Sequence, residues 1–253
     1  MGEVSIRYVG GPTAVVEICG LRLVTDPTFD APGDYPVGPD RKLVKTAGPA
    51  VEADETGAVD AVLLSHDQHP DNLDESGRAY LARVPLVLST PAAHGRLGDV
   101  VTALPNWETY ELGERLRITG VPALHGPEGA EALTGEVTGF VLHGDAVPTV
   151  YVSGDNASLD HVRAVAERFG PVDVAVLFAG AARTPLFDGA PLTLTSEAAA
   201  EAAQILGARH VVPLHFEHWV HFSEGADTLT EAFAAAGLSE RLRLLKPGAT
   251  FTD

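Results

Sequence analysis

Five short stretches of the chain place a histidine or an aspartate just past an apolar, strand-like run. Asp26 follows residues 21–25, and the cluster His66-Asp-Gln-His-Pro-Asp71 follows 61–65. His125 follows 116–121, Asp155 follows 149–152 and His215 follows 210–212. Loops at strand ends gather along one rim of a sheet, where layered α/β proteins build their sites. Imidazole nitrogen is a borderline ligand, and carboxylate adds the charge that lowers the cost of holding a divalent ion. His66 and His69 lie three residues apart with Asp71 two further on, so one tight loop can aim several ligands inward. Any one of these histidines alone is more often structural. Gly154-Asp155 and Asp26-Pro27 are also ordinary turn pairs. The repetition past strand ends is what favours a shared cation.

The elements that must carry these loops are legible in outline. Alternating residues 5–9, 14–18 and 21–25, separated by Gly10-Gly-Pro12 and Gly20, read as a meander. Strands are expected at 61–65, 86–89, 110–112, 116–121, 139–143, 149–152, 174–178, 210–212 and 242–245. Helices are expected over 73–84, from the Ser158 cap to Arg168 and Gly170, from Thr195 or Ser196 to Gly207, and over 226–236. Residues 28–57, rich in Pro, Gly and charge, lack periodicity and read as a loop that either covers the site or wanders over the surface. The order suits two packed sheets with helices outside, in one domain spanning 1–253.

Bulk properties narrow the function. A length of 253 residues, 45% of them hydrophobic, suffices for a large core without staples. The lone cysteine, Cys19, excludes an internal disulfide and any multi-cysteine zinc site, and reads as a buried thiol beside a strand. A net charge of −18 would repel a phosphate backbone, so nucleic acid is not an expected partner; a small molecule is. The start Met1-Gly-Glu-Val-Ser has neither a basic, apolar leader nor a myristoylation pattern, and no window spans a bilayer. A cytoplasmic protein with no integral membrane segment is expected, and a homo-oligomer is left open.

With the motifs in order, a resemblance emerges. Ser65-His-Asp-Gln-His-Pro-Asp-Asn-Leu-Asp74 resembles the His-x-His-x-Asp-His signature of the metallo-β-lactamase superfamily. Thr25-Asp-Pro27 looks like its first motif. Ala123-Leu-His-Gly126, Ser153-Gly-Asp155 and Pro213-Leu-His-Phe-Glu-His-Trp219 look like its later ones, and the likeness runs over essentially the whole chain. The opening Gly-Gly-Pro-Thr-Ala-Val-Val-Glu and the Pro-x-His-Phe-x-x-Trp ending look closest to the branch with ascorbate-6-phosphate lactonase and N-acylphosphatidylethanolamine phospholipase D.

The resemblance implies a four-layer αββα sandwich and a metal-dependent hydrolase of a small or lipid-like ester, lactone or phosphodiester. It implies one ion on His66, His69 and His125, a second on Asp71 and His215, Asp155 bridging them, and Asp26 orienting ligands from behind. The expected metal is zinc, as one or two ions, with Mn2+ or Fe2+ as alternatives. Asp71 would orient the attacking water, and His218 or His221 would protonate the leaving group. The signature is altered here. One extra residue sits in the loop, and Gln68 and Asn72 stand where imidazoles are expected. That departure motivates a rival, a member that binds without turnover; a nuclease of the same fold is disfavoured by the acidity. His94, His143, His161 and His210 read as structural, and Trp107 and Trp219 as packing, with Trp219 near the pocket wall. Arg41, Lys42 and Arg183 are cations that could meet an anionic group.

Overall fold

Alternating apolar residues at the start of the chain form a meander of β1 (Val4–Gly10), β2 (Thr13–Ile18) and β3 (Leu21–Thr25), paired antiparallel. The structure, a computed structural model, describes residues 3–253; Met1 and Gly2, part of the leader and myristoylation reading, lie outside the described residues. A hairpin of β4 (Gly33–Pro36) and β5 (Lys42–Lys45) leaves the sheet. The chain returns as β6 (Ala61–Leu63), β7 (Val87–Ser89) and β8 (Thr102–Ala103), laid parallel in turn beside β3.

The second sheet begins antiparallel with β9 (Thr109–Leu112), β10 (Leu116–Ala123), β11 (Val137–Gly144) and β12 (Val147–Val152). It continues parallel with β13 (Val174–Phe178) and β14 (His210–Leu214). The last strand, β15 (Thr250–Thr252), crosses back to the outer side of β1.

Helices fill the crossovers. α1 (Glu75–Leu81) is capped by Asp74, and α2 (Pro91–Leu97) by Thr90 with proline in its first turn. A short α3 (Glu131–Thr134) lies between β10 and β11. Ser158 caps α4 (Leu159–Phe169) and Thr195 caps α5 (Ser196–Ile205), both as the sequence suggests; α6 (Ala226–Ala235) follows.

Three buried clusters define four layers. Ile6, Val16, Leu63, Ile118, Phe140 and Val176 pack between the sheets. Tyr151, Val162, Val165, Ala199 and Phe233 join the second sheet to α4–α6. Val24, Val62, Leu64, Tyr80 and Leu81 join the first sheet to α1. This is the αββα order expected from the sequence.

Four local readings need correction. The strand expected over 242–245 is absent: Leu242 makes a single bridge to Val211, and Pro247-Gly248 turns the chain toward β1, where β15 forms instead. The helix expected over 73–84 begins only after Asp74, whose carboxylate accepts from Gly77 N and so closes its first turn. Residues 28–57 are not a structureless loop, since β4 and β5 pair there. Cys19 sits partly exposed at the β2–β3 turn, with φ at +56°, rather than buried. Among the described residues no helix is long and apolar enough to cross a membrane.

Candidate metal centre

Each chemically active loop leaves a strand that the core has fixed. Asp26 follows directly on β3, and its buried carboxylate accepts from Ser65 N and Ser65 Oγ, both at 2.6 Å, and from Asn72 Nδ2 at 3.0 Å. Burial pushes Asp26 up to about 7 despite these bonds, which favour its charged form. Asp26 therefore staples the end of β3 to both ends of the 65–72 loop, behind the histidines.

Three imidazoles from two loops face one another. Ring centroids are separated by 4.9 Å for His66 and His69, 5.3 Å for His66 and His125, and 5.1 Å for His69 and His125. Hydrogen bonding sets which nitrogens are bare. Ser65 Oγ gives its proton to Asp26, so it accepts from His66 Nδ1–H at 2.9 Å, and His66 Nε2 carries a lone pair. That nitrogen lies 2.9 Å from His69 Nδ1. His125 Nδ1 lies 2.8 Å from the Leu192 carbonyl, which only an N–H can satisfy, leaving His125 Nε2 free. Burial, followed by the neighbouring His69, holds His66 well below its usual range; burial and His125 push His69 down to about 4. His66 and His69 are therefore disposed to be neutral, the form that ligates metal.

A second trio, Asp71, Asp155 and His215, stands beside the first, its donor atoms within 4.8 Å of one another. His215 Nε2 lies 3.4 Å from Asp71 Oδ2 and 3.5 Å from Asp155 Oδ1. The other oxygen of Asp155 is 3.4 Å from His125 Nε2, so one carboxylate spans both trios. Burial alone would lower His215, but Asp155 and Asp71 overcome it and raise the imidazole to about 10. Burial opposes ionisation of both aspartates, yet His215 and the neighbouring imidazoles hold each well below the usual carboxylate range. Asp71 Oδ1 and Asp155 Oδ2 are buried without a hydrogen-bond partner. Bare, buried carboxylate oxygens beside imidazole nitrogens fit divalent cations and are otherwise costly to keep.

Above the trios opens a cavity of about 330 Å³. His69, Asp71, His125 and His221 lie on its lining, with walls from Val37 and Leu43 of the hairpin segment, Leu133 of α3, and the Leu186-Phe187 turn.

The comparisons agree with this geometry. A family model described as a beta-lactamase superfamily domain matches residues 21–216, a span containing all six trio residues. A UPF0173 metal-dependent hydrolase of Methanosphaerula palustris is 32% identical over 185 residues, covering 68% of this chain and 75% of that protein. The chain belongs to the UPF0173 metal-dependent hydrolase family of the beta-lactamase superfamily. A relative in Rubrobacter xylanophilus is 26% identical and aligns over 98% of this chain and 96% of its own. Among solved structures, the isothiocyanate hydrolase from Delia radicum gut bacteria superposes with a TM-score of 0.84 at 21% identity, covering 98% of each chain. A metallo hydrolase from Ignicoccus hospitalis gives 0.75 at 21% identity, covering 99% of this chain and 98% of that one. These two likenesses bear on the fold.

Against the UPF0173 background, the altered signature loop has a physical explanation. The extra residue is absorbed by turning Asp67 and Gln68 out of the trio. Arg96 grips Asp67 through Nε at 3.0 and 3.1 Å and through Nη2 at 2.5 Å, and Nη2 also reaches Gln68 Oε1 at 3.1 Å. His66 and His69 can then both face inward.

Other sequence-based candidates land elsewhere. His218 is not brought to the cavity; its ring packs on Gly10, where an added Cβ would stand 2.5 Å from Cε1. His221 lines the cavity instead, its Nε2 3.0 Å from Asp71 Oδ2. Trp219 is set back from the cavity wall, 5.4 Å from Tyr35 between ring centroids and 5.6 Å from Lys45 Nζ. Arg183 bonds Ser223 Oγ and the Gly189 carbonyl, and Lys42 pairs with Asp34. Arg41 lines the cavity.

Two contributors escaped the sequence reading. One is the Leu192 carbonyl that orients His125, which no side-chain pattern could signal. The other is Lys45, fully buried against Asp74 at 3.1 Å, whose place in the Lys-Leu-Val-Lys strand looks like that of a solvated edge residue.

Proposed function

We propose that this UPF0173 family member hydrolyses a small or lipid-like ester, lactone or phosphodiester, with its two trios holding zinc. The observation that carries this reading is the Asp155 carboxylate reaching toward both trios, beneath an apolar-walled cavity that His69, Asp71 and His125 line. A divalent ion held there supplies a water acidified toward neutrality and a positive centre for the developing oxyanion.

The chain's own groups do the rest. His66, His69 and His125 would hold one ion, Asp71 and His215 the other, and Asp155 both. Leu192 and Ser65 fix the tautomers that present His125 and His66. Asp71 holds the water's orientation. His221, bonded to Asp71 at the cavity lining, carries a proton toward the leaving group at Nε2, a role for which His218 is badly placed. The apolar walls favour a substrate with a hydrophobic body. Arg41, the one Lys or Arg on the cavity lining and without an ion pair among the described residues, favours a substrate that carries a negative group.

The lactonase-like branch belongs to this proposal on the Gly-Gly-Pro-Thr opening and the Pro-Leu-His-Phe stretch alone. The single domain and the cytoplasmic setting belong to the same proposal on separate grounds, the unbroken order of elements and the lack of a bilayer-long apolar window. The deciding experiment is metal analysis with a substrate panel of medium-chain esters, lactones, phosphodiesters and an isothiocyanate. Turnover lost on chelation, restored by Zn2+ and abolished in His66→Ala supports the reading. Stoichiometric metal with no turnover on the panel would instead favour the rival motivated by Asn72, a metal-binding member without catalysis.

A further inference from the structure

Apolar side chains left in solvent are ordinary when scattered and informative when they border one opening. Four large ones are exposed among the described residues: Val100, Leu133, Leu186 and Val220. Leu133, 63% exposed, and Leu186, 47% exposed, both belong to the lining of the cavity above the trios. A side chain that lines a cavity and also meets bulk water stands at its opening.

The segments that carry the two leucines are fixed. Leu133 is on α3, and Leu186 is on the short turn Pro185–Phe187. The loop bearing that turn is closed at its base, where Leu192 N donates to the Ala182 carbonyl at 2.8 Å. Arg183 N donates to His221 O at 3.1 Å, which ties one limb of the loop to the 215–221 segment. The α3 segment is packed on the other limb: a Cβ added to Gly126 would stand 2.9 Å from Leu192 Cδ2 and 3.0 Å from Ala130 Cβ. Leu192 also orients His125 through its carbonyl, so the two leucine-bearing segments meet beside a trio residue. Val37, Leu43, Phe187 and Leu192 add apolar surface to the same lining.

Charge narrows what can cover this rim. Glu128, Glu131 and Asp188 lie exposed on the same two segments. A second copy docked face to face here would set these carboxylates against one another in a chain of net charge −18, and an anionic bilayer would be repelled. An uncharged hydrocarbon chain meets neither penalty. We infer that the substrate carries a long unbranched apolar chain that leaves the cavity across Leu133 and Leu186 instead of ending within it. The inference rests on the hydrolase reading above and narrows its substrates from small molecules to chain-bearing ones.

Alkyl hydroxamates, whose head group chelates zinc, test this without turnover. Butanohydroxamate and decanohydroxamate are titrated by calorimetry into zinc-loaded wild-type protein and into the double variant Leu133→Ser/Leu186→Ser. A methylene that is half covered tightens binding about twofold, so the longer probe should bind wild type at least about tenfold more tightly. In the double variant that ratio should fall below about threefold. Each ratio is internal to one protein, so a change in overall stability cancels, and both positions are exposed enough to accept serine.

A wild-type ratio near one, or a ratio unchanged in the double variant, overturns the inference and leaves the hydrolase reading standing. Gel filtration and sedimentation with phosphatidylcholine vesicles accompany the titrations. A wild-type dimer or vesicle-bound form that the double variant loses, with the ratio unchanged, would assign the leucines to a second copy or a lipid surface and overturns the inference too. Neither probe binding to zinc-loaded protein would overturn the metal-site reading and this inference with it.

Discussion

Single residues here act through which of their atoms are left bare. His221 and His218 lie three positions apart on one segment, and the sequence offers no ground for choosing between them. The choice follows from backbone geometry: His218 has φ at +75°, and its ring packs on Gly10, while His221 comes forward to Asp71. His221→Ala should therefore lower kcat by about 100-fold with metal content unchanged, and His218→Ala should leave kcat near wild type. Steady-state kinetics with metal counts on both variants check this.

A second expectation concerns His215. Its folded pKa is raised from 6.5 to about 10, so the stability it contributes in the metal-free protein is complete below pH 6.5 and is lost as pH climbs through 10. A bound cation takes the place of that proton between Asp71 and Asp155. The gap in Tm between metal-loaded and metal-free protein should thus widen from pH 6.5 to 10, as calorimetry at stepped pH would register. The histidines and aspartates themselves were legible because side chains past strand ends share a rim. Their tautomers were not, because Leu192 O and Ser65 Oγ become partners only through the fold.

At the scale of elements, the β4–β5 hairpin is the part that the sequence reading captured least. Its strands are four residues each and carry no clean alternation, so the 28–57 stretch reads as irregular, although its reading as a cover survives in Val37, Arg41 and Leu43 on the cavity lining. The hairpin is held from beneath. Lys45 Nζ meets Asp74, which also accepts from Phe29 N, Asp30 N and Gly77 N. Thr46 N donates to His218 O, and Val220 N donates to Val44 O. The hairpin thereby ties the 66–74 loop to the 215–221 loop.

Lys45→Met should cost about 3 kcal/mol, the lower end for a broken buried pair, because three backbone amides still serve Asp74. Chemical denaturation measures it, and a loss under 1 kcal/mol would mean the pair is not a structural clamp. Arg41, at the hairpin's far end, should govern selectivity instead. Arg41→Glu should reduce kcat/KM by about tenfold for an ester with a carboxylate-ended chain, and leave the neutral ester of equal length unaffected. The helices, by contrast, followed their signals: Ser158 and Thr195 cap as the local pattern demands. α2 carried the same signal in Thr90-Pro91 and went unread.

Across the whole molecule, layer order was legible because strand and helix periods alternate cleanly and the buried faces match them. The closing strand was misplaced because a short apolar run at 242–245 imitates one, and only the sheet edge at β1 reveals where β15 belongs. The six trio residues divide evenly between the layers. His66, His69 and Asp71 follow a strand of the first sheet; His125, Asp155 and His215 follow strands of the second. Each trio draws on both. A refolding chain with one sheet assembled therefore offers at most two of the three ligands of either trio, and tight ion capture must wait for the two sheets to dock. The rate at which a fluorescent chelator loses its zinc to refolding protein becomes a clock for that final assembly step, separate from the earlier rise of helical signal.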